Sequence, residues 1–245
     1  MNFDDSSIVL IGLIFVWTGF VRTGLGFGGA ALGLPLMLLI GGTPVYWLPI
    51  IGIHLFFFTT ITLAKSLNKV DWDYLKRTLI WIVPPTLVGV IGLLNLPTKV
   101  IVIFIYCVTI FYAINWIFDK KIRSNKAWID KLFFILGGYI SGTSLTGAPL
   151  IVAVYMRHVD KEFLRNTMFV LWIILVAIKM TAFVVVGVSI DWQFSLYLIP
   201  ITAIGHILGI IMHKRIIEND QYFKKWVGGA LLLISSIGMF KTLML

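Results

Sequence analysis

The feature that most constrains this 245-residue chain is a succession of eight apolar runs. They fall at about 8–40, 47–64, 78–94, 100–118, 132–156, 166–187, 195–212 and 226–243. About 20 apolar residues cross a bilayer, and six of the runs have single-span length. Such a chain has no means of covering a soluble core. Only 13% of its residues are charged and 59% are hydrophobic, where soluble domains carry about 25% charge. The pattern excludes a soluble enzyme, a disordered protein and a nucleic-acid binder, despite a net charge of +9. A membrane β-barrel would show short alternating segments with a polar lumen face. Long apolar runs instead predict an all-α polytopic membrane protein. The single cysteine, Cys107, lies in an apolar run and has no partner for a disulfide. The acidic start, Met1 to Ser7, lacks the positive charge of a cleavable signal, so the first run is expected in the mature protein.

The basic residues set the topology. Four connections, 65–77, 119–131, 157–165 and 213–225, hold 16 of the 20 Lys and Arg residues. Short cytoplasmic loops are enriched in these residues. Placing the four loops inside sends 47–64 inward, 78–94 outward and 100–118 inward. The run 132–156 must then start and finish inside, as a broken or re-entrant hairpin. After it, 166–187 goes outward, 195–212 inward and 226–243 outward. By the same logic 8–40 is a hairpin that enters and returns outside, and both termini lie on the extracytoplasmic side.

The expected fold is therefore two inverted-topology repeats, each a hairpin plus three transmembrane helices. The first repeat spans 1–118, a cytoplasmic linker 119–131, and the second repeat 132–245. Secondary transporters often have this plan. The letters repeat as well. Each hairpin carries a glycine-rich break followed by proline, at Gly33-Leu34-Pro35 and Gly147-Ala148-Pro149, and each half carries an Asp-Trp pair, at Asp71-Trp72 and Asp191-Trp192. Each Asp is expected to cap the helix that follows, and each Trp suits the membrane interface.

The residues that carry the hairpins resemble a known family. Gly19-Phe20-Val21-Arg22-Thr23-Gly24-Leu25-Gly26-Phe27-Gly28-Gly29-Ala30-Ala31-Leu32-Gly33-Leu34-Pro35 looks like the first signature of the sulfite exporter TauE/SafE family, also called the toluene-sulfonate uptake permeases. Gly137 to Pro149 looks like its second-half counterpart, with Ser144, Leu145 and Thr146 where more glycine is expected. The resemblance implies transport of small sulfur-containing anions, such as sulfite, sulfoacetate or other sulfonates, across the cytoplasmic membrane. It also leaves other small organic acids open as cargo.

An anion leaving water needs its hydration replaced. Helix N-termini offer unbonded N–H groups and partial positive charge, and glycine lets that backbone approach closely. Gly24, Gly26, Phe27, Gly28 and Gly29 of the first hairpin and Gly142, Thr143, Ser144, Thr146 and Gly147 of the second are the candidate substrate cradle. The competing role for these glycines is close helix packing. Arg22 and Lys179 are the two cations inside apolar runs, and no Asp or Glu lies at comparable depth. Intramembrane cations usually face a cavity or a partner, so both are candidate anion contacts. The alternatives are snorkelling for Lys179 and capping of the broken helix ends for Arg22.

With no interior carboxylate, His54 and His206 are the candidates for proton coupling; sodium bound at the hairpin breaks is the other option. No metal-ligand set or nucleophile–base pair stands out, so no cofactor and no catalysis are expected. A passive anion channel is the alternative function. The lipid bilayer and the anion are the expected partners, with a homodimer open.

Overall fold

The computed structural model describes residues 3–25, 28–64, 66–119, 122, 126–218 and 220–244. These form helices α1 (Asp5–Leu25), α2 (Gly29–Ile40), α3 (Pro44–Leu63), α4 (Trp72–Asn95), α5 (Thr98–Ile117), α6 (Ala127–Ser144), α7 (Ala148–His158), α8 (Lys161–Val186), α9 (Trp192–Glu218) and α10 (Asp220–Met244), with one 3₁₀ turn at Leu67–Lys69. No strand occurs among the described residues. Among the described residues, seven helices are long and apolar enough to cross a membrane: α1, α3, α4, α5, α8, α9 and α10. The two remaining hairpin breaks separate α1 from α2 and α6 from α7.

Local chemistry accounts for the helix ends. The Asp71 carboxylate accepts from Tyr74 N–H at 2.9 Å, and Asp191 accepts from Phe194 N–H at 3.0 Å. Both Asp-Trp aspartates are thus helix N-caps. Pro149 opens α7, where its missing N–H costs nothing. Gly187, at φ 78°, closes α8 in the left-handed conformation. Helices also run past their apolar runs. α4 starts at Trp72 where 78 is predicted, and α6 starts at Ala127, inside the predicted linker. Hydropathy marks the hydrocarbon thickness, whereas helices continue into polar interfaces as long as their ends can be capped. Threonines inside the spans return their hydroxyls to their own helix: Thr86 to Ile82 O, Thr109 to Ile105 O and Thr202 to Leu198 O, each at 2.8 Å. This satisfies polar groups where water is absent.

The chain forms two compact units. One comprises Met1–Ile50, Leu96–Lys121 and Ile190–Leu245; the other comprises Ile51–Asn95 and Ile122–Ser189. Each draws helices from both halves of the sequence. In the first unit α1 packs along α9, α2 packs on α1, α10 and α5, and α5 packs on α10. Val21, Leu32, Ala113, Val227 and Leu231 form a buried cluster joining α1, α2, α5 and α10. In the second unit α6 packs along α4, α7 packs on α6, and α8 contacts α4, α6 and α7.

The α1–α9 and α4–α6 seams are built alike. A methyl group added to Gly19 would lie 2.5 Å from Thr202 O, and one added to Gly138 would lie 2.5 Å from Ile82 O. On the opposite helices, a methyl on Gly209 would strike Phe20 O and Thr23, while one on Gly89 would strike Tyr139 O and Gly142. Each α1 residue in this set has its α6 counterpart 119 positions later, and each α9 residue has its α4 counterpart 120 positions earlier. Absence of side chains lets the backbones meet, the way small residues bring membrane helices together.

Candidate functional site

In the first unit the candidates gather where α1 ends and α2 begins. Arg22 occupies the last turn of α1 and is 8% exposed. Gly28 holds the left-handed conformation, φ 87°, from which α2 starts. A methyl on Gly29 would lie 3.0 Å from the Arg22 Cβ and from Thr18 O, and one on Gly33 would overlap Thr18. The start of α2 thus lies directly on Thr18 and Arg22. Gly24 is buried on α1. Across the seam, His206 of α9 shares a 2.6 Å hydrogen bond between Nδ1 and Thr23 Oγ1. The structure therefore brings Arg22, Gly24, Gly28, Gly29 and His206 into one locality. Gly26 and Phe27 lie outside the described residues.

In the second unit α6 ends at a left-handed Leu145, φ 59°, whose N–H bonds Ser141 O at 3.0 Å. Gly147 precedes α7, and a methyl there would overlap Gly137 O and Ser141 Oγ. A methyl on Gly142 would overlap Thr86 O. Gly142 is thus required for backbone contact between α6 and α4. Thr143 donates to Tyr139 O at 2.7 Å, Ser144 bonds Ile140 O at 3.0 Å, and Ser144 and Thr146 share a 2.7 Å contact. These hydroxyls are already engaged, so they would have to turn to serve a ligand.

Other donors in this unit are not engaged. Ser141 Oγ, Trp172 Nε1 and Lys179 Nζ are buried, and none has a hydrogen-bond partner among the described residues. Trp172 and Lys179 stand seven residues apart on α8, two turns along nearly the same face. Lys179 is 1% exposed, which removes snorkelling as its explanation. His54, on α3, is also buried, 3% exposed. Ser141 escaped the sequence reading because it is one of several hydroxyls in a row, and Thr23 because its partner is 183 residues away.

A further cluster went unread in the sequence. Asp130, in the first turn of α6, is 8% exposed and sits 2.9 Å from His158 Nε2 and 3.4 Å from Arg157 Nη1. The antiparallel hairpin brings the start of α6 to the end of α7. His158 stacks on Tyr74, and Tyr74 meets Tyr155 edge-on. Asp130 also accounts for one arginine of the basic connections in packing terms. Among the described residues no group of three His, Cys, Asp or Glu forms a metal site.

Residues 11–239 match the family model described as sulfite exporter TauE/SafE. Searches of curated proteins and of solved structures found no match.

Proposed function

The chain belongs to the sulfite exporter TauE/SafE family, and we propose that it is a secondary transporter that moves a small sulfur-containing anion across the cytoplasmic membrane by alternating access. The family is one of membrane transporters for sulfur anions such as sulfite, and this chain is a multi-pass membrane protein. The finer reading is that sulfite, sulfoacetate or another organosulfonate is held near the midplane by the hairpin breaks and by Arg22 and Lys179.

One observation carries it: Lys179 is buried without a hydrogen-bond partner or carboxylate among the described residues, in a unit that also buries the unengaged donors Ser141 and Trp172. A lone buried ammonium is costly. An anion that meets it is repaid by charge and by hydrogen bonds together. Lys179 and Trp172 can only donate and Ser141 can donate with them, which favours an acceptor-only ligand such as sulfite or a sulfonate.

The matched α1–α9 and α4–α6 seams support the inverted repeat. Two halves with the same packing grammar can exchange roles between outward-open and inward-open states. His206, hydrogen-bonded at the first hairpin, is the candidate for proton coupling, with His54 second and sodium as the other coupling ion. The basic loops support a topology with both termini outside, and a homodimer is the assembly to test.

The test is a thermal-shift series on the purified protein with sulfite, thiosulfate, sulfoacetate, isethionate, taurine and carboxylates. A ligand that binds only the folded state raises the midpoint. A sulfur anion should do so in the wild type and lose the effect in Lys179→Gln. Equal shifts in the two proteins would remove Lys179 from the site. Accumulation of the bound anion in proteoliposomes against its gradient separates a coupled carrier from a channel.

A further inference from the structure

Apart from the four basic connections and the deep Arg22 and Lys179, Lys99 and Lys241 are the remaining Lys and Arg residues of the sequence, and the fold brings them together. They line one cleft of about 400 Å³ in the first unit, formed by the end of α2, the start of α5 and the end of α10. These are the ends of α5 and α10 that lie away from the basic connections. Thr98 and Thr242 line the same cleft, and no carboxylate does. Neither lysine forms an ion pair among the described residues.

Two further features point to a ligand. Tyr106 lines the cleft and is 1% exposed, yet its hydroxyl has no hydrogen-bond partner among the described residues. Its ring and hydroxyl lie against Gly238, where a methyl group would overlap them. The first intrahelical bond of α5 runs from Val100 N–H to Pro97 O, at 2.9 Å, and Pro97 supplies no side-chain cap. The N–H groups of Thr98 and Lys99 therefore open a 20-residue helix with no partner inside it.

We propose that this cleft is a second anion site, separate from the transport site, that holds a tetrahedral phosphate-type oxyanion. Its source is either the headgroup of an acidic phospholipid or the free ion. Two ammonium groups supply charge, while the Tyr106 hydroxyl and the start of α5 supply directed donors. Leu38, Leu39 and Val102 give the cleft an apolar wall. Ordinary roles explain each lysine alone: Lys241 lies in the last turn of α10, where a cation complements the helix dipole, and lysines at membrane boundaries snorkel. Neither role explains a phenol hydroxyl that opens into the same cleft without a protein partner among the described residues.

The experiment uses the purified full-length protein and three probes: micelles carrying phosphatidylglycerol, micelles carrying phosphatidylcholine, and inorganic phosphate. Thermal shift and native mass spectrometry are read on the wild type, Lys99→Gln/Lys241→Gln and Tyr106→Phe. Phosphatidylglycerol or phosphate should stabilise the wild type, and phosphatidylcholine should not. Binding should fall roughly fivefold per lysine removed, and by a smaller factor in Tyr106→Phe, while the sulfur-anion shift stays intact in both variants. A response to the lipid alone assigns the headgroup, and a response to phosphate alone assigns the free ion; either supports the site. Equal binding by wild type and the double-lysine variant, or no response to any probe, overturns it. Both lysines are exposed, so glutamine leaves the packing intact, and Tyr106→Phe removes only the hydroxyl.

Discussion

The two hairpins share a backbone plan and differ in chemistry. The first carries its own cation, Arg22, and faces an imidazole, His206, across the α1–α9 seam. The second carries only hydroxyls, faces Thr86 at the position corresponding to His206, and has its cation on the neighbouring α8. Glycine contacts that let backbones touch are conserved between the two seams, and charge placement is not. A repeated scaffold thus fixes where the chain bends, while unequal side chains decide what each bend holds. If a proton couples transport through His206, the first hairpin is where it acts.

The largest way to break the comparison is at glycine. Gly142→Val should cost about 3 kcal/mol, because its side chain meets backbone and cannot be relieved by a rotamer change. Gly28→Ala should cost only about 1–2 kcal/mol, the penalty of a left-handed residue, since nothing but Val21 approaches. Thermal unfolding of both variants checks the pair. Gly28→Ala is therefore the clean test of the cradle: normal sulfite binding in this folded variant would exclude its backbone from the site.

Lys179→Gln comes next. Removing a buried ammonium should stabilise the ligand-free protein by roughly 2–3 kcal/mol while abolishing the sulfur-anion shift. A loss of stability instead would mean the ammonium is held by a structural partner. His206→Thr gives the first seam the chemistry of the second. It should cost about 1 kcal/mol, the worth of one hydrogen bond. Under the proton reading it should also flatten the dependence of flux on pH between about 5 and 8, where histidine titrates. An unchanged profile removes His206 from coupling. The smallest effects are at the caps. Asp71→Ala and Asp191→Ala should each cost about 1 kcal/mol with anion binding unaltered; a large binding defect in either would assign that aspartate more than a cap.

The spans, both hairpin breaks and both caps were legible in the sequence, because each depends on residues close together in the chain. Helix lengths were less so, since Ala127 to Asp130 read as polar linker and form the first turn of α6. Which glycines pack was not legible. Gly142 read as a member of the anion cradle with close packing as its competing role, and only the opposing carbonyl of Thr86 shows what fills the space beside it. Asp130 read as one acid of a loop, because Arg157 and His158 meet it only after the hairpin closes. Lys179 was found by its depth, but its burial and its isolation from carboxylates needed three dimensions.

The pairing of α1 with α9 also sets an order of assembly. α1 is made before α9, and its glycine face waits for Gly205 and Gly209, about 190 residues later. At about 5–20 residues per second, that delay is roughly 10–40 s. The second unit, Ile51–Asn95 with Ile122–Ser189, is fully synthesised before α9 exists. A chain stopped after Ser189 should therefore protect residues of α4 and α6 from protease while α1 stays open to it; equal protection would show that α1 finds another partner first. During every round of synthesis the nascent chain thus holds a finished half-molecule beside an unclosed one, and the quality-control machinery of the membrane meets the second.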